Sequence, residues 1–158
     1  MKDQNEALIV ELERLLRGRN AHVGLNDALA DLPDELLGQR PHGLPYSIWQ
    51  LVEHIRIAQA DMLEFSQNGN YQPLKWPDDY WPTEPEPVDK EAFGTSLDKY
   101  NADLEAFIKL MHQNDLYTPL SHGEGQSLLR EALQIADHTA YHVAEIVVIR
   151  RLLHAWKV

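Results

Sequence analysis

Apolar residues recur along this chain at intervals of three and four, and no stretch alternates with period two. The pattern predicts helices and no strands. Leu8, Ile9, Leu12, Leu15 and Leu16 mark a first helix from about Asp3 to Arg17, stopped by Gly18. Asn26 is placed to cap a short segment, DALADL, that ends at Pro33. Two prolines and a glycine make Arg40 to Tyr46 a connector. Ser47 then opens a second long helix, where Ser-Ile-Trp-Gln fits a capping box, and Asn68-Gly69 ends it after Gln67. Asp89 caps a third helix to about Gln113, whose core face is Phe93, Leu97, Tyr100, Leu104, Phe107 and Met111. A fourth runs from Ser127 to Trp156. The expected fold is all-α, a four-helix bundle forming one domain over residues 1–158.

Between helices two and three lies NGNYQPLKWPDDYWPTEPEPV, residues 68–88. Its five prolines preclude a regular helix, yet Tyr71, Trp76, Tyr80 and Trp81 are too aromatic for a solvated linker. Two readings stand: the aromatics glue the loop to the bundle, or they wall a pocket. The loop is also long enough to cross the bundle, so the two helices it joins can run parallel.

Composition narrows the chemistry. The chain has no cysteine, which removes disulfides, thiolate metal sites and a cysteine nucleophile. A net charge of −11 without a Lys/Arg run argues against nucleic acid. The longest apolar run, Ile146 to Ile149, is too short for a membrane span, and the acidic, amphipathic start reads as the first helix of a cytoplasmic protein.

The candidate chemistry lies on the fourth helix. His138 and His142 are four residues apart and leave the same face about one turn apart. With His138 at zero, His142 falls at about +40°, Glu145 at about −20° and Glu131 at about +20°. The rest of that stripe is isoleucine (Ile135, Ile149), so it should face the core, where polar groups need partners. A divalent metal would supply them, and so would neighbouring carboxylates. His54, about two turns into helix two beside Gln50, Leu51, Ala58 and Asp61, is a possible third ligand or a satisfied core residue. If helices two and four are neighbours, the three imidazoles can meet halfway along the bundle. Three histidines with an open fourth position compose a catalytic rather than a sealed site. Of the other histidines, His22 alone is kept as a possible pocket residue. Thr139 after the first histidine excludes a zincin, and no Glu-x-x-His pair supports a carboxylate di-iron centre.

The segments PYSIWQLVEHIRIAQADMLEF, YQPLKWPDDYWP and ADHTAYHVAEIVVIRRLLHAW together resemble the DinB-like (YfiT-like) family of metal-dependent enzymes, over nearly the whole chain. The resemblance implies a four-helix bundle, usually homodimeric, with a divalent metal, zinc or nickel, on His54, His138 and His142. It implies a metal-dependent hydrolase or a thiol S-transferase acting on a small molecule, since some relatives use the low-molecular-weight thiols bacillithiol, mycothiol or glutathione. The alternative is a non-catalytic, metal-holding stress protein. Relatives often have glutamine at Glu145; a carboxylate there is open to roles as fourth ligand, as partner of a ligand or as general base, and equally to a plain ion pair with an arginine of another helix. A homodimer is also expected because helix four is apolar on too many sides near VAEIVVIRRLL for three neighbours to cover.

Overall fold

A computed structural model describes residues 2–18 and 21–156. Among these residues all regular structure is helical: α1 (Lys2–Leu16), the short α2 (Leu25–Leu29), α3 (Ile48–Gln67), α4 (Lys90–Gln113) and α5 (Leu128–Leu152), with three single 3-10 turns between them. The four long helices are those the periodicity predicts. No described helix is long and apolar enough to cross a membrane.

Local chemistry sets the helix starts. The Ser47 side chain accepts from the backbone N–H of Gln50, and the Gln50 side chain accepts in return from the N–H of Ser47, completing the predicted capping box. Asp89 accepts from the N–H groups of Glu91 and Ala92 at the head of α4. Each such cap is worth about 1 kcal/mol. At the end of α1, Gly18 adopts φ 66°, and a Cβ there would lie 2.4 Å from the Cα of Gly24. Only glycine allows the chain to turn and pass this close to itself.

Two sequence expectations are corrected. Asn26 does not cap α2; Gly24 holds that position, while the Asn26 amide spans to Asn101 on α4. The last helix stops at Leu152 rather than Trp156. There His154 takes a left-handed conformation, and the chain folds back onto the Arg150 guanidinium. That group is buried and donates to the carbonyls of Ala28, Ala30 and Ala155, with the Trp156 ring 5.3 Å away. Tying the end of α5 to α2 satisfies a buried cation more fully than one further helical turn would.

The core holds Phe107 and Met111 from α4, Ile48, Leu51 and Ile55 from α3, and Ile135 and Ile146 from α5, all nearly inaccessible. α3 and α4 run parallel, since Glu53 pairs with Ser96 and, further along both, Gln59 donates to the carbonyl of Tyr100. The 68–88 loop makes this possible by climbing back along α3. Tyr71 and Tyr80 donate their hydroxyls to Asp61, His54 meets the Tyr80 carbonyl, Gln50 donates to that of Pro82, and Ser47 to that of Pro85. After the two on Asp61, each of these bonds lies nearer the start of α3 than the one before. The loop therefore arrives where α4 can start level with α3.

Candidate metal centre

His54 is carried inward on α3 between Leu51 and Ala58 and is 2% exposed; His142 on α5 is 8% exposed, and His138 is partly open. The antiparallel approach of α3 and α5 brings the three rings together. Their centroids stand 4.8 Å (54–138), 4.6 Å (54–142) and 4.6 Å (138–142) apart. One nitrogen from each ring lies within 4.8 Å of the others, and no other group of three such side chains forms among the described residues.

The surroundings decide which nitrogen faces which. The Nδ1 of His54 is 3.0 Å from the Tyr80 carbonyl, which can only accept, so Nδ1 carries the proton and Nε2 presents a lone pair. The Nε2 of His138 lies 3.0 Å from that lone pair and donates to it. On the far side, the Nδ1 of His142 is 2.6 Å from Oε2 of Glu145 and donates to the carboxylate. Burial, then the charges of His142 and His54, push the His138 imidazole down to about 4. Burial chiefly, with a smaller contribution from His142, lowers His54 as well, against the opposing Tyr80 carbonyl. Neutral imidazole is the form that ligates a metal; His54 already turns a lone pair inward, and His138 would do so once its proton moved from Nε2 to Nδ1. The residues present therefore fit a divalent ion with nitrogen ligands.

The loop supplies the wall. Trp81 stacks on His54 at 3.8 Å and 5°, and Tyr46 stacks on the other face of Trp81 at 3.9 Å and 13°. Tyr141 meets His142 edge-on at 4.9 Å. The three-layer sandwich holds the His54 ring in one plane, and nothing in the local sequence names Trp81 or Tyr46 for that task. The only signal is that the 68–88 segment is unusually aromatic. Behind Glu145 and Tyr141 lies a mostly apolar pocket of about 350 Å³, lined also by Leu44, Tyr46, Leu51 and Val148; none of the three histidines borders it.

Glu145 thus stands behind a histidine and in the pocket wall. The remaining histidines stay apart from the centre. His22 bonds the Val23 carbonyl and lines a different depression with Ala140 and Trp156, His112 pairs with Glu13, and His122 meets the Phe65 carbonyl.

No curated protein and no solved structure matches the chain. The family model of the DinB superfamily matches residues 19–146, a span that takes in the α3 histidine, the aromatic loop and both α5 histidines, and the chain belongs to that superfamily.

Proposed function

We propose that His54, His138 and His142 hold one divalent metal ion, zinc or nickel, and that the protein is a metal-dependent hydrolase or thiol S-transferase acting on a small molecule. The observation that carries this reading is the pair of acceptors behind the rings. The Tyr80 carbonyl on His54 and the Glu145 carboxylate on His142 fix two tautomers in which the other nitrogen of each ring carries a lone pair. Such outer partners are what orient imidazoles around a metal and raise their basicity. Bound there with one position open, the ion would polarise an electrophile or lower the pKa of a water or thiol.

The chain's own residues do the rest. Trp81 and Tyr46 shut one side of the His54 ring from water. The apolar pocket beside Tyr141 and Val148 suits a small substrate with a hydrocarbon portion. Glu145 is the candidate proton acceptor, since its carboxylate borders this pocket as well as His142.

The outer face of α5 leaves Leu133, Tyr141, Val148 and Leu152 exposed, and a second copy of the chain packed there, roofing the pocket that Tyr141 and Val148 line, would form the expected homodimer.

Turnover is tested with a model ester and, separately, with a low-molecular-weight thiol plus an electrophilic acceptor. Activity that a chelator removes and zinc or nickel restores is the expected result. Full metal occupancy with no turnover on either would favour a protein that holds metal without catalysis.

A further inference from the structure

Tyr80 is fastened to α3 at both of its ends. Its backbone carbonyl lies 3.0 Å from Nδ1 of His54, and its hydroxyl donates to Asp61 at 2.6 Å. Asp61 follows His54 by seven residues, a rise of about 10 Å along the helix axis. One tyrosine laid along the helix spans that gap, so the anchor on its side chain governs where its carbonyl sits.

The carboxylate of Asp61 accepts two hydroxyls, Tyr80 on one oxygen and Tyr71, at 2.8 Å, on the other. Among the described residues no cationic side chain forms an ion pair with it. A hydroxyl on an ionised carboxylate is held about twice as strongly as one on a neutral acceptor. Asp61 is thus built to hold the two tyrosines.

The Tyr80 carbonyl needs such a hold because regular structure gives it little. The only regular element in the 68–88 loop is the single 3-10 turn Asp78–Tyr80. Beyond Tyr80 the loop is secured by the Trp81 ring on His54 and by Gln50 on the Pro82 carbonyl. Before that point, both side-chain hydrogen bonds from residues 71–80 to α3 end on Asp61. Without this anchor the carbonyl is held from one side alone. Were it to drift, Nδ1 of His54 would lose its acceptor, and the ring could carry its proton on Nε2 instead. That nitrogen faces His138, and once protonated it has no lone pair to offer an ion.

We propose that Asp61 is a positioning residue of the metal centre, keeping the His54 proton on Nδ1, and the lone pair on Nε2, by way of Tyr80. Its effect on metal affinity rests on the metal reading. Its effect on the tautomer does not, and is read in metal-free protein.

The test takes two readings from the full-length chain. Long-range proton–nitrogen correlation NMR of the metal-free, neutral ring gives the His54 tautomer, and competition with a chromophoric chelator gives zinc affinity. The wild type should show Nδ1 protonated. Asp61→Ala and Tyr80→Phe should each give mixed tautomers and bind zinc about tenfold more weakly, the lower end of the loss when a ligand's outer partner goes. Asp61→Asn keeps one carbonyl oxygen to accept a hydroxyl and should recover part of both. Tyr71→Phe removes a matching bond from the same carboxylate, yet Tyr71 does not meet a histidine, so tautomer and affinity should stay as in the wild type. Equal effects in Tyr71→Phe and Tyr80→Phe would overturn the proposal, because Asp61 would then only staple the loop. A wild-type tautomer in both Asp61→Ala and Tyr80→Phe would overturn it too. A tautomer shift in Tyr80→Phe beside a wild type that binds no zinc would sink the metal reading and leave the hold of Asp61 on His54 standing.

Discussion

The Nε2 atoms of His54 and His138 face each other at 3.0 Å, joining positions 84 residues apart on two different helices. Two nitrogens on one tetrahedral ion, with bonds of about 2.0 Å, stand about 3.3 Å apart. A shift of a few tenths of an ångström would therefore let an ion take the place of the single proton now shared by the two rings. The bundle supplies this juxtaposition through its core packing, and the loop maintains it through the Tyr80 carbonyl and the Trp81 ring.

Glu145 should matter to metal affinity before it matters to any reaction. Its bond to the Nδ1 of His142 orients that ring, and losing such a partner typically weakens a metal site by about 10- to 100-fold. Glu145→Ala should show this in competition with a zinc chelator, with Glu145→Gln retaining part of the affinity. Unchanged affinity in Glu145→Ala would remove the residue from the centre.

The metal-stripped protein should lose stability as pH falls from about 6.5 to about 4. His138 titrates at about 4 when folded, because burial and the neighbouring His142 and His54 disfavour its charge, against an ordinary value of 6.5. Between those values the unfolded chain binds a proton that the folded chain refuses, so protonation favours unfolding; the contribution is intact above 6.5 and gone below 4. His54, also lowered, acts in the same direction. Melting temperature measured across this window should fall more steeply in the wild type than in His138→Asn. Equal slopes would contradict the assignment.

The exposed face of α5 should pair two copies of the chain. Leu133, Tyr141, Val148 and Leu152 all point outward from one helix, and a charge introduced at the centre of such a face disfavours association. Sedimentation at micromolar concentration should give a dimer for the wild type and a shift toward monomer for Val148→Asp. A monomeric wild type would show that this face stays solvated.

Much of the architecture was legible because it is local chemistry. The 3.6-residue spacing of Phe93 to Met111, the Ser47–Gln50 box and the Asp89 cap each act within a turn or two, so sequence alone carries them. The His138–His142 pair was legible for the same reason, while His54 became a candidate only if α3 and α5 were neighbours. Asn26 was misplaced because a glycine cap leaves no side-chain signal and because Asn101, its partner, is 75 residues away. The early end of α5 was hidden for a like reason: Arg150 finds its carbonyl acceptors on the distant segment around Ala28 and Ala30. Trp81 could be suspected only from the aromatic density of the 68–88 loop, and Tyr46, outside that loop, had no such signal, since the stack on His54 depends on how the loop crosses the bundle.

The most direct measurement is the metal content of untagged protein, purified without chelator, for the wild type and for His54→Ala, the ligand contributed by the other helix. The account predicts close to one zinc or nickel per wild-type chain and almost none in a folded His54→Ala protein. A wild type without metal, or a His54→Ala protein that keeps its full complement, would contradict it.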